Sequence, residues 1–195
     1  KFYQKNNIKC RTKESLPISY PSKIVLETDD SYVFNPYEYL VSLKDILKNK
    51  ITIYENTCCT SVDKDNDYYL CHTKNGNTIK AKYVIMATHY PIFIIPYFIP
   101  FKTIVERFFI GASSIDKIKD IQILSHNDPS ISMRYYNNDM DNYFLYGRRN
   151  RKCTSSGDVR DDYNELNMEY NKYFGKDIDY FFHTHDIMTY DNLPF

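Results

Sequence analysis

The side chains of this 195-residue chain that could do chemistry fall in four places. Arg134 closes Ser130–Arg134 (SISMR), and Arg148 lies within Leu145–Lys152 (LYGRRNRK). A guanidinium pairs bidentately with a carboxylate, so each is a candidate for holding an anionic substrate group. The alternative for each is an ordinary surface charge. Gly147-Arg148-Arg149-Asn150-Arg151-Lys152 packs four cations into six residues, so the loop 148–152 could instead dock an anionic partner. His183 and His185 alternate, and on a strand they would face one side as a metal pair does. Further ligands would have to come from the scattered His72, His89 and His126. A half-exposed strand reads the same way, and no metal site is assigned. Finally, the apolar run Tyr83–Ala87 (YVIMA) leads into Thr88. A small residue and a hydroxyl at the C-terminal end of a parallel strand let a ligand approach the backbone closely. An ordinary core strand ending in a loop would look alike.

The totals bound these readings. Twenty-five basic residues balance twenty-five acidic ones, so net charge supplies no general attraction to nucleic acid or an anionic membrane. A hydrophobic content of 43% is not that of a disordered chain. Tyr is abundant and Trp absent, a bias that reads as coding preference more than chemistry. Cys10, Cys58, Cys59, Cys71 and Cys153 are odd in number and include no C-x-x-C. Reduced thiols in a cytoplasmic protein are the expectation. There is no signal-peptide pattern. The apolar stretch Tyr90–Phe101 is interrupted by Pro91, Pro96 and Pro100 and falls short of the roughly 20 residues of a membrane span. It reads as an apolar loop lying against something.

These groups must be positioned by a recognisable order of elements. Asn35 can cap a helix, with Pro36 at its first position and Glu38 three residues after the cap. Leu40, Leu43 and Leu47 recur at helical spacing, which predicts a helix over 36–49. Strands are expected at 23–27, 31–34, 51–55 and 60–62. A hairpin at 68–81 turns on Asn75-Gly76-Asn77, and a strand buried on both faces follows at 83–87. Further strands are expected at 103–110, 121–124, 131–136, 143–146 and 178–182. A second helix over 158–174 carries Val159, Tyr163, Leu166, Tyr170 and Phe174 on one stripe and stops at Gly175.

The stretch Asn35–Pro91 resembles the segment of the D-amino-acid oxidase/glycine oxidase family in which a helix, a strand and a hairpin lead to a strand ending in Ala-Thr. Ser130–Arg134, Leu145–Lys152 and Asp186–Pro194 (DIMTYDNLP) follow in the order of that family's later motifs. The likeness covers roughly residues 20–195 and is strongest to the branch often fused to a Rieske iron–sulfur domain. It implies an α+β chain: a mixed β-sheet substrate-binding region with helices on one face, plus an incomplete part of an FAD/NAD(P)-binding three-layer domain. The implied division is 1–91 for the partial FAD domain, 92–182 for the substrate sheet and 183–195 for a return toward the FAD domain.

The resemblance implies FAD-dependent oxidation of an amine or amino-acid-like substrate, with an iron–sulfur or other electron acceptor as a possible partner. It places Val62, Ala87, Thr88, His89, Asp191 and Pro194 near the cofactor, and Arg134 and Arg148 at the substrate. No protein base is required, because the flavin performs the hard step. The departures are as informative. No G-x-G-x-x-G is present to hold a pyrophosphate, and the chain has only five glycines. Rieske Cys/His pairs are absent. His89 stands where many flavoproteins have Gly. The expectation is therefore an interior piece of a longer flavoprotein, binding FAD weakly or not at all and inactive alone. The alternative is a non-catalytic α+β module that binds an anionic partner through the basic loop 148–152.

Overall fold

The computed structural model describes residues 5–29, 32–89, 101–117, 119–126, 129–137, 140–152 and 157–189, with the backbone alone at 149–152. In chain order its elements are β1 (Cys10–Lys13), β2 (Val25–Thr28), α1 (Pro36–Leu47), β3 (Cys59–Asp65), β4 (Tyr68–Thr73), β5 (Thr78–Ala81), β6 (Thr103–Ser114), β7 (Gln122–Leu124), β8 (Ile131–Asn137), β9 (Asn142–Lys152), α2 (Val159–Phe174) and β10 (Tyr180–Thr189). The chain is α+β. It forms two compact units, one of residues 1–33 with 105–186 and the other of 34–104 with 187–195. Residues 1–33 thus cluster with the second half of the chain rather than with the segment that follows them.

The first unit is built on a five-stranded sheet of order β10-β6-β9-β8-β7. Neighbours β6/β9, β9/β8 and β8/β7 are antiparallel. Helix α2 covers one face. Asp158 caps it by accepting the Arg160 N–H at 2.9 Å, and Asp161 and Asp162 put negative charge in its first turn. Gly175 ends it at φ 70°, a left-handed conformation that glycine adopts without a Cβ penalty. The predicted stripe faces inward. Leu166 and Tyr170 are each 1% exposed and pack with Phe109, Ile131, Met133, Phe144, Tyr146 and Ile178. Each such large apolar side chain contributes about 1.5–3 kcal/mol on burial. Aromatic rings dominate: Phe144 lies 5.2 Å from Phe174, and Tyr146 lies 5.6 Å from Tyr170, both edge-on. Gly111 has no side chain because Ile178 fills its place; an added Cβ would stand 2.4 Å from that side chain.

In the second unit α1 forms as its cap predicts. Asn35 accepts the Tyr37 N–H at 3.0 Å, and its amide donates to Glu38 at 2.8 Å. The helix ends at Leu47, two residues short of the expected bound. Its apolar stripe is exposed: Leu40 retains 60% and Ile46 62% of its surface. Beside it, β3, β4 and β5 form an antiparallel three-stranded sheet. Gly76 takes φ 79° in the predicted Asn-Gly turn.

Several expected strands do not form. The segment 83–87 has no ladder partner among the described residues, and Tyr83 and Ile85 are 78% and 91% exposed. The segment 51–55 is likewise unpaired, with Ile51 and Tyr54 more than half exposed. Residues 32–34 form no strand either. An apolar run states a preference for burial, but a strand also needs a neighbour to accept its backbone hydrogen bonds. In contrast, the polar β1 was not expected and forms by pairing with β2, from Cys10 opposite Thr28 to Lys13 opposite Val25. Strand β10 begins two residues later than predicted and runs seven further, to Thr189. Residues 90–100 of the expected apolar loop lie outside the described residues.

No helix among the described residues is long and apolar enough to cross a membrane. Cys10, Cys58, Cys59 and Cys71 are free thiols; Cys153 lies outside the described residues.

Candidate functional site: the uncovered face of the five-stranded sheet

Successive side chains on a strand point to opposite faces, so register and alternation sort this sheet into two surfaces. Phe109 on β6, Met133 on β8 and Phe144, Tyr146 and Arg148 on β9 belong to the face packed by α2. Their neighbours in sequence belong to the other face, which no described helix of the first unit covers. Across it, the register aligns Gln122, Arg134, Leu145 and Ala112 in one row, and Leu124, Ser132, Gly147 and Ile110 in the next. Tyr136, Tyr143 and Ser114 make a third row, and Tyr180 stands against Tyr143 with ring centroids 6.0 Å apart.

Arg134 therefore lies in the middle row of this face, on β8, one strand in from the edge strand β7. It is half-buried, flanked laterally by Gln122 and Leu145 and along its strand by Ser132 and Tyr136, none of them acidic. Among the described residues it takes part in no ion pair. Gly147 shapes the same surface. A Cβ there would stand 2.5 Å from the Phe108 ring, so the missing side chain lets that ring lie across β9. Among the described residues of these rows Arg134 is the cation, set among aromatic, aliphatic, small and amide side chains. A guanidinium in no ion pair among the described residues can pair bidentately with a carboxylate.

Arg148 sits on the opposite face and is occupied. Its guanidinium donates to Glu169 at 2.8 Å and to Glu165 at 2.9 Å, and its side chain is 16% exposed. Burial works against the charge, but the two carboxylates outweigh it and hold the guanidinium above its ordinary value. Next to it, the Tyr146 phenol is fully buried; loss of solvent first and the Glu169 charge second push it far above the ordinary phenol range. Glu165 and Glu169 were not singled out from the sequence. Their signal was there, as two acids one turn apart on the predicted helix and hence on one side of it.

Of the remaining sequence candidates, Val62 and Ala87 to His89 lie in the second unit and His183 in the first. Val62 is half-buried on β3 opposite Cys71. Ala87, Thr88 and His89 follow the unpaired segment and are exposed. His89 adopts φ 63°, so the backbone here takes the left-handed conformation that glycine supplies at no cost. Asp191 and Pro194 lie outside the described residues. His183 meets the Tyr163 hydroxyl at 2.7 Å, and no group of three or more metal-ligating side chains is gathered among the described residues.

The backbone at 87–89 is exposed and takes a positive φ at His89. The described chain does not fit the pyrophosphate, because none of the glycines with left-handed backbone begins a helix as that site requires: Gly76 is in a hairpin, Gly157 precedes the Asp158 cap by one residue in a sequence without G-x-G-x-x-G, and Gly175 ends α2.

No family model matches this chain. It is 25% identical over 197 residues to YhfW of Bacillus subtilis (strain 168), provisionally named as a Rieske 2Fe-2S iron–sulfur protein. The match covers 99% of this chain and 38% of that relative, so the chain spans less than half the relative's length. Among solved structures it is similar to a variant of Klebsiella pneumoniae HpxO complexed with FAD, with TM-score 0.50, 14% identity and coverage of 88% of this chain and 47% of that one. The Diels-Alderase PyrE3 of pyrroindomycin biosynthesis gives TM-score 0.50 at 11% identity, covering 78% of this chain and 36% of that one. At these identities the likeness is one of fold. The fold is shared with part of a protein that has been crystallised with FAD.

Proposed function

We propose that this chain is the substrate-side part of a longer FAD-dependent oxidoreductase that oxidises an amine or amino-acid-like substrate. The observation that carries the reading is the sheet face that presents Arg134 from β8, half-buried and in no ion pair among the described residues, on a fold shared with part of an FAD-bound protein. When bound, FAD supplies hydride acceptance. The chain's own part is positional. Arg134 binds the substrate carboxylate, while Leu145, Tyr143 and Phe108 shield the substrate's apolar portion from water. Val62, Ala87, Thr88 and His89 would border the cofactor, with Asp191 and Pro194 returning to it as the resemblance implies. Arg148 stays in the reading as a support: it ties β9 to α2 and so fixes the sheet that presents Arg134.

Three observations support the reading without deciding the substrate. The exposed run 83–87 is apolar, as a strand is that pairs with others in a complete dinucleotide domain. The matched relative is more than twice as long. Its name also supports an iron–sulfur electron acceptor as the partner. For the isolated chain the reading predicts weak or absent FAD binding, because no residues here cradle a pyrophosphate.

The test is on the full reading frame. It should purify with FAD and reduce it with an amine or amino-acid substrate under anaerobic conditions. Arg134→Met should raise KM for carboxylate-bearing substrates at least tenfold, an effect of about 1.4 kcal/mol. A full-length protein that neither contains nor takes up flavin would end this reading.

A further inference from the structure

The face covered by α2 holds a second opening that the Arg134 site does not use. It is a cavity of about 470 Å³ within the first unit, in the size range of small-molecule sites. Its floor is aromatic: Tyr135, Phe144, Tyr170 and Phe174. Its apolar sides come from Ile18, in the segment before β2, and Ile115, just after β6. Three lysines stand at its edge, Lys117, Lys119 and Lys176.

The chemistry of that edge is one-sided. Lys119 donates to the Pro17 carbonyl at 2.6 Å, and Lys176 donates to the Ser114 carbonyl. Both contacts anchor an ammonium against an uncharged acceptor, so they hold the charge in place without cancelling it. None of the three lysines forms an ion pair among the described residues. The nearby carboxylates are satisfied by neutral donors: Asp177 accepts from the Asn167 and Asn171 amides at 3.0 and 2.9 Å, and Asp179 accepts the Ser114 N–H at 2.7 Å. Asp179 also feels the Lys176 charge, which contributes a small part of its lowered pKa. Burial raises the pKa of the Tyr135 and Tyr170 phenols, so the floor stays neutral at physiological pH.

We propose that this cavity binds an amphiphilic carboxylate, with its apolar part on the part-exposed Tyr135 and Phe174 rings and its charged end among Lys117, Lys119 and Lys176. An ammonium with three donors keeps free donors after bonding one carbonyl, so anchored lysines still reach an anion. The site lies on the opposite side of the sheet from Arg134, and it stands whether or not the chain works with a flavin. Because the floor residues Tyr135 and Phe144 share strands β8 and β9 with Arg134 and Leu145, an occupant there would bear on the sheet that presents Arg134.

Isothermal titration of the intact 195-residue chain with decanoate tests it, with decan-1-ol as the uncharged comparator and benzoate as the aromatic one. Saturable decanoate binding is expected at one site in an Arg134→Ala background, which removes the other carboxylate site. In that background the triple variant Lys117→Gln, Lys119→Gln, Lys176→Gln should weaken it at least tenfold. Ser19→Phe, which fills the cavity wall without touching charge, should abolish it. Tighter binding of benzoate than decanoate would assign the site to aromatic carboxylates; the reverse would assign it to aliphatic ones. No saturable binding of either acid would overturn the proposal. So would equal binding of decan-1-ol, or affinity unmoved by both the lysine and the Ser19 variants in proteins that keep the wild-type circular dichroism and Tm.

Discussion

The two faces of the five-stranded sheet are made by the same strands and differ in every respect that matters for function. On β9, Phe144, Tyr146 and Arg148 go to one side, Tyr143, Leu145 and Gly147 to the other. The first set is buried under α2, and even its charge is matched by Glu165 and Glu169. In the second set Tyr143 and Leu145 are partly exposed, and beside them stands Arg134, in no ion pair among the described residues. Two arginines that look equivalent in sequence are thus separated by one residue's worth of strand parity. A charge neutralised within the fold serves packing; a charge left without a counterion on a concave or open surface is available to a ligand. The glycines repeat the contrast. Gly111 makes room for Ile178 on the covered face, and Gly147 makes room for Phe108 on the open one.

The comparison breaks most easily at adjacent positions. Phe144→Ala should cost about 3–5 kcal/mol of stability, because it empties an aromatic site that is 4% exposed. Leu145→Ala, the next residue on the same strand, should cost clearly less, since its side chain is already partly exposed. Chemical denaturation of both variants measures the difference, and equal losses would show that both faces are core.

The arginines come next. Arg148→Ala leaves Glu165 and Glu169 facing each other without their cation, and should destabilise by about 2 kcal/mol. That is below the figure for a fully buried pair because Glu165 is 57% exposed. Arg134→Ala should change stability by about 0.5 kcal/mol or less. Thermal melts that reverse this order would remove Arg134 as the free cation.

The smallest effect lies outside both faces, between β1 and β2. Glu27 is held at a pKa of about 2, from an ordinary 4.5, by hydrogen bonds from Arg11 and Lys13. Because the folded value is the lower one, this contribution is complete above pH 4.5 and is lost as the pH falls through about 2. A carbon-13 titration of the Glu27 carboxyl should show that depression and lose part of it at high salt, since the group is exposed. A midpoint near 4.5 at low salt would mean that the pair does not form in solution.

Much of the frame was legible from local chemistry. Both helices were readable, the first from its Asn35 cap and stripe and the second from its stripe and the Gly175 stop, because these residues act on their own neighbours. The Asn-Gly hairpin was readable for the same reason. The candidate site was legible in part: Arg134 and Arg148 stood out by type, but nothing local told them apart. Misread segments share another cause. Tyr83–Ala87 and Ile51–Glu55 have strand composition, and β1 does not, yet β1 is paired and the other two are not. Composition describes what a segment prefers, whereas pairing depends on what arrives beside it.

By itself, the sequence determined where helices start and stop, where the chain turns, and that it carries no glycine loop for a pyrophosphate. These follow from contacts within a few residues. Only the tertiary structure decided which arginine is bound internally and which faces outward, and that three lysines gather at the edge of an aromatic cavity. Those outcomes depend on register and on packing between segments far apart in the chain. Glu169 reaches Arg148 across 21 residues, and Lys119 reaches Pro17 across 102; strand parity then assigns each side chain to a face.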